Sequence, residues 1–189
     1  ISLSGGNVSL RVDSEHILVT PSGMVYDEMV PEDVLVVNND GKIVEGERKA
    51  SVDTVALCYI YKNMPNVNSV IHTHQPFATG LGLVFERIDC DLTTLANTTK
   101  GHVNVAPYSS AASLEMGVAV VDYIGDSLAV VLKNHGVVTV GKNLTEALYA
   151  AVYLEESAKT LYVAHSLGRP VSKLTENQIQ VAVDVFKTY

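Results

Sequence analysis

The chain opens on short runs in which apolar and polar residues alternate. Val8-Ser9-Leu10-Arg11-Val12 follows the turn signal Gly5-Gly6-Asn7, and His16 to Thr20 repeats the period before Pro21-Ser22-Gly23. A period of two sends every second side chain to one face, so both runs predict half-buried strands. Val34 to Val37 and Ile43 to Glu45 flank Asn39-Asp40-Gly41, a hairpin signal. The first segment, up to roughly residue 50, therefore predicts an antiparallel meander.

The period changes at Asp53. Val55, Ala56, Tyr59 and Ile60 recur at helical spacing, and Pro65 stops the helix after Met64. Val67 to Thr73 predicts a strand running into His74. Val103-Asn104-Val105 predicts a short strand, and Ser113 to Ile124 an apolar helix. Ser127 to Leu132 predicts a buried strand reaching Asn134-His135-Gly136, with Val137 to Val140 as its continuation. Asn143 and Glu146 make a capping pattern for a long helix from Leu144 to Leu167, stopped by Gly168 and Pro170. Thr175 and Gln178 cap a last helix that runs to the chain end. The pattern predicts one domain over residues 1–189, an α/β (α+β) fold of three αβα layers on a mostly antiparallel sheet.

Composition narrows the function. With 189 residues, 47% hydrophobic and 18% charged, the chain has material for a core and too little charge for disorder. A net charge of −8 argues against a nucleic-acid partner, which needs clustered Lys and Arg. A small anion can still be held by backbone N–H groups and hydroxyls. No apolar run approaches the ~20 residues that span a bilayer, so no membrane partner is expected. Cys58 and Cys90 form no CxxC and no disulfide framework, which suits a reducing cytoplasm. The opening lacks Met, as expected of a numbering that starts inside a longer protein, and leaves targeting open.

His72-Thr73-His74 is the first chemical feature. Residues i and i+2 of a strand share a face, so two imidazoles can share one metal ion. His135 is the best third ligand: it ends a second apolar run and precedes Gly136, where the backbone can turn or approach a neighbour closely. The alternative is three satisfied structural histidines. His16 and His165 read as surface residues, and the pattern leaves His102 undecided. A cupin would need a Glu a few residues after the pair, and Gln75 to Gly80 contains no acid. An amidohydrolase barrel needs roughly 250 residues, more than this chain has.

Gly5-Gly6-Asn7, Thr20-Pro21-Ser22-Gly23 and Lys49-Ala50-Ser51-Val52-Asp53 are turns rich in glycine and hydroxyls. Each suits an anion, and Ser51 stands at a helix start, where the dipole favours negative charge. Each equally suits a plain turn or cap. Gly80-Leu81-Gly82 lacks the third glycine of a dinucleotide fingerprint.

Together these segments resemble the class II aldolase/adducin family, which includes L-fuculose-phosphate aldolase and L-ribulose-5-phosphate 4-epimerase. The matching pieces are SGGNVSLR, ILVTPSGMVYDEM, the acid in GERKASVDT, VIHTHQPFA, VAPYSSAAS and NHGVVTVGKN, in family order over nearly the whole chain. The resemblance implies a homotetramer with active sites between subunits, and Zn²⁺ or a similar divalent ion on His72, His74 and His135. It implies phosphate binding at Gly6, Asn7, Ser22, Gly23 and Ser51. Family members usually carry a second Ser after the one matching Ser51; here Val52 removes that hydroxyl. They also usually carry a helical segment before the GGN turn.

The resemblance further implies retro-aldol cleavage of a ketose phosphate, L-fuculose-1-phosphate-like, through a metal-stabilised enediolate. Asp53 matches the carboxylate that moves a proton beside it. Tyr108 matches an aldolase tyrosine that reaches a neighbouring subunit's site and protonates the aldehyde oxygen. Asp53-Thr54 favours the epimerase, since the aldolases typically carry Glu there. Ala106-Pro107-Tyr108, the short connection from His74 to His135 and the absence of an HADYF-like acid segment favour the aldolase. The aldolase is the expected activity. The alternatives are a 4-epimerase, a decarboxylase of a sugar-acid phosphate, and an adducin-like non-catalytic module, against which the intact histidine trio argues.

Overall fold

Alternation and turn chemistry build half of one large sheet. In a computed structural model that describes residues 5–185, β1 (Asn7–Arg11), β2 (His16–Val19), β3 (Leu35–Asn38) and β4 (Ile43–Glu45) form the expected antiparallel meander. Gly41, at φ +77°, turns the hairpin between β3 and β4. Ser4 of the first family motif, and the end of the last predicted helix, lie outside the described residues.

The remaining elements are α1 (Thr54–Asn63), β5 (Ser69–Thr73), α2 (Pro76–Val84), β6 (Arg87–Ile88), α3 (Thr93–Thr99), β7 (Val103–Ala106), α4 (Leu114–Ile124), β8 (Ala129–Leu132), β9 (Gly136–Gly141), α5 (Leu144–Ser166) and α6 (Glu176–Val185). The nine strands lie in the order β4-β3-β2-β1-β5-β9-β8-β7-β6. Among the described residues only the β7–β8 pair is parallel, so the sheet is mostly antiparallel as its pattern predicts. The sequence-level expectation that Val137 to Val140 continues β8 is corrected. The chain reverses at Lys133–His135, with Asn134 at φ +62°, and β9 returns antiparallel beside β8. Two apolar runs joined by three residues read alike whether straight or folded back.

Strand alternation feeds two cores. Val130, Leu132, Val138 and Val140 face α1 and α4, whose buried residues include Ile60, Met116 and Val120. Ala129, Val131 and Val137 face the other way, toward α2, α3, α5 and α6. The expected αβα layering follows. α5 buries Ala147, Ala150, Ala151, Leu154, Ser157, Ala158 and Leu161, a stripe at helical spacing made mostly of small residues. Small residues let this helix lie close against β5 and β9.

Candidate active site

Four segments end at one rim of the sheet. β5 finishes at Thr73 and β1 begins opposite it, with Asn7 paired to His72. The β8–β9 turn carries His135, and Asp53 is the N-cap residue of α1. Close backbone approach makes this convergence work. A Cβ on Gly6 would sit 2.2 Å from the His72 carbonyl oxygen, and one on Gly136 2.5 Å from the Thr73 carbonyl oxygen. Glycine is what allows β1 and the β8–β9 turn to crowd against the end of β5.

The three predicted histidines meet. Their ring centroids are 4.9 Å apart for His72–His74, 4.8 Å for His72–His135 and 5.3 Å for His74–His135. One nitrogen from each lies within 4.8 Å of the other two. His72 is buried, His135 is half-buried and His74 is exposed, so the cluster opens to solvent on the His74 side.

Hydrogen bonding sets the tautomer of the innermost ring. His72 Nδ1 lies 2.9 Å from the Val137 carbonyl oxygen, which can only accept. Nδ1 therefore carries the proton, and neutral His72 turns a bare Nε2 toward His74 Nε2, 3.1 Å away. Burial pushes the His72 pKa down to about 4 and lowers that of His135. Both rings are then neutral at pH 7, the state in which imidazole ligates. His135 Nδ1 is buried without a hydrogen-bond partner. Neutral rings, converging nitrogens, an orphaned Nδ1 and an open side fit a divalent cation of the zinc type.

Asp53 sits beside this cluster, and its charge acts against burial by raising the pKa of both His72 and His135. Asn7 Nδ2 donates to Asp53 Oδ2 at 2.8 Å, and the Ala112 N–H donates to Oδ1 at 3.1 Å. Both oxygens are engaged by donors, so Asp53 is fixed next to the histidines.

The anion-loop residues lie around the same rim. The Ser22 N–H donates to the Lys49 carbonyl at 2.8 Å, and Pro21 bridges to Ala50, which sets the Ser22-Gly23 turn beside Ser51. Ser51 Oγ accepts from the Asp53 N–H at 3.3 Å. Gly23 has φ +73° and open space around it, and Val52 is 63% exposed. Tyr108, 67% exposed, follows β7 in the loop that carries Ala112. No side-chain contact joins it to the histidines of its own chain among the described residues.

His16 is partly exposed and pairs with Asp13, and His165 is exposed, as expected. His102 has a structural partner: its Nδ1 accepts from the Cys90 N–H at 3.0 Å. Two contributors escape sequence reading. Ala112 acts through its N–H, held at φ +57°, and Val137 through its carbonyl. Backbone groups leave no letter in the sequence.

Comparison with known proteins follows this geometry. A family described as the Class II Aldolase and Adducin N-terminal domain matches residues 1–162. The L-fuculose phosphate aldolase of Methanococcus maripaludis (strain C7) is 35% identical over 164 residues, covering 87% of this chain and 88% of that protein. The 5-deoxy-D-ribulose 1-phosphate aldolase of Bacillus thuringiensis is 29% identical over 98% of this chain and 87% of its own. A solved L-fuculose 1-phosphate aldolase superposes with a TM-score of 0.91 at 28% identity, covering 99% of this chain and 88% of that one.

Proposed function

The chain belongs to the Class II Aldolase and Adducin N-terminal domain family, and from that premise we propose that it is a metal-dependent aldolase cleaving a ketose phosphate. The observation that carries the reading is the convergence of His72, His74 and His135 beside Asp53. These three residues are the assigned ligands, and Zn²⁺ the assigned ion. A divalent cation held there supplies Lewis-acid stabilisation of negative charge on substrate oxygens.

The chain's own groups account for the rest. In the cleavage direction the C3–C4 bond breaks, its electron pair stays on C3, and the C4 hydroxyl loses its proton to become an aldehyde. C3 must then gain a proton. Asp53 is assigned that transfer, with Asn7 and Ala112 fixing its orientation. Tyr108 is assigned the proton at the C4 oxygen, acting from a neighbouring subunit. Gly6, Asn7, Ser22, Gly23 and Ser51 are assigned the substrate phosphate. One domain, supported by one continuous sheet, and a reducing cytoplasm, in keeping with two free cysteines, complete the proposal together with the homotetramer that the family resemblance implies. Among the described residues no helix is long and apolar enough to cross a membrane.

The test is a panel of ketose 1-phosphates and pentulose phosphates incubated with zinc-loaded protein. Release of dihydroxyacetone phosphate is expected. Interconversion of pentulose phosphates without fragments would make the chain an epimerase, the reading that Asp53-Thr54 favours. Metal near one per chain separates an enzyme from an adducin-like module. His135→Ala is expected to lose metal and cleavage while keeping its circular-dichroism spectrum.

A further inference from the structure

One stripe of α5 is stitched to β5, which carries His72, to β9, which follows His135, and to the chain directly after His74. At the N-cap, the Asn143 carbonyl accepts from Ser69 Oγ of β5 at 2.7 Å. One turn on, the Ala147 carbonyl accepts from Thr139 Oγ1 of β9 at 2.9 Å. Another turn on, the Ala151 carbonyl accepts from Gln75 Nε2 at 2.8 Å. The fourth rung is Glu155, whose Oε1 and Oε2 accept the Phe77 and Ala78 N–H groups at 3.0 and 2.9 Å. Residues four apart lie one above another on a helix, so these contacts form a single ladder.

The last two rungs grip the chain directly after His74. Gln75 is the N-cap of α2 and Pro76 its first residue. Pro76 has no N–H, the next two N–H groups go to Glu155, and Thr79 N–H returns to the Gln75 carbonyl. The first turn of α2 thus has all its donors satisfied, two of them by one carboxylate that also complements the helix dipole. Gln75, beside His74, is fixed from the same helix. His74 is the exposed member of the cluster, and among the described residues it has no backbone clamp of the kind Val137 gives His72.

We propose that Glu155 is a positioning residue for the metal centre, holding His74 in ligating geometry by pinning the start of α2. This inference rests on the reading of the histidines as ligands. It assigns α5 a task at the site beyond its buried stripe, which runs from Ala147 to Leu161 and does not include Glu155.

The experiment measures Zn²⁺ affinity by chelator competition, and the visible spectrum of the Co²⁺ form, in wild type, E155A, E155Q and E146A. Glu146 caps the far end of α5, accepting the Lys142 N–H at 2.7 Å, so E146A controls for a general loss of helix stability. E155A is expected to weaken zinc about 10-fold or more, the scale seen when supports of metal ligands are removed. E155Q, which keeps side-chain volume and one acceptor, should fall between, and both Co²⁺ spectra should change. E146A should bind zinc as wild type does. If E155A fails to fold, E155Q decides. Wild-type affinity and spectrum in the Glu155 variants would overturn the proposal, as would an equal loss in E146A. A wild-type chain that binds no zinc would sink the ligand reading, and this inference with it.

Discussion

At the scale of single residues, burial and charge decide what the histidines do. Burial holds His72 down to about 4, against an ordinary 6.5, and lowers His135 as well. Between those two values the unfolded chain binds a proton that folded His72 refuses. Stability therefore rises with pH across that window and is flat above it. Metal-free protein is expected to lose stability as pH falls from about 6.5 toward about 4. Denaturant titrations at about pH 7 and about pH 5 check this, with His72→Asn as the reference. The drop in midpoint should be smaller in the variant, and equal drops would show that His72 does not titrate in this window. The histidines were legible because strand period puts residues 72 and 74 on one face and Gly136 marks a tight approach beside 135. The donors that hold Asp53 were half legible. Asn7 belongs to a turn motif, but the Ala112 N–H depends on a left-handed backbone that an alanine does not announce.

At the scale of elements, the site is a packing problem solved with glycine. A Cβ on Gly136 would meet the Thr73 carbonyl oxygen at 2.5 Å, His74 Cδ2 at 3.0 Å and His72 Cε1 at 3.2 Å. Backbone cannot yield cheaply, so β9 must shift away from β5. Gly136→Ala is expected to cost about 1–3 kcal/mol, the usual range for overpacking. It should also lower zinc stoichiometry, because the displaced turn carries His135. Thermal unfolding with elemental analysis checks both, and a variant that keeps full zinc would separate the turn from the site. The meander and capped helices were readable because each obeys its own local rule. α2 was not: it puts Gly80 and Gly82, both poor helix formers, into nine residues; Gly80 faces open space, and only Gly82 answers to close packing. A Cβ on Gly82 would sit 2.6 Å from Val131 Cγ1 of β8. α3 is short and rich in threonine, so its helical state comes from packing against α5 and α6 rather than from propensity.

At the scale of the whole molecule, one chain leaves the rim that carries the histidines uncovered. Val52 and Val55 at the start of α1, and Tyr108 and Leu114 on either side of the loop that binds Asp53, are all exposed. Among the described residues Tyr108 has no contact to its own histidines, and the proposed function assigns it to another copy's site. The proposed homotetramer supplies one, and the consequence is measurable in mixed oligomers. Sedimentation should give a mass of four chains for wild type, Tyr108→Phe and His135→Ala alike. Y108F is expected to lose cleavage by about 100-fold, the lower end for a removed general acid–base group. H135A should lose it through the metal. Neither loss is shared within a site if Tyr108 crosses the interface. Subunits of the two variants, unfolded together and refolded as mixed tetramers, should then regain activity, because some sites combine an intact histidine trio with a neighbour's intact tyrosine. Full activity in Y108F would remove Tyr108 from the reaction. Inactive mixed tetramers would confine it to its own subunit, and a fully active monomer would end the shared-site account.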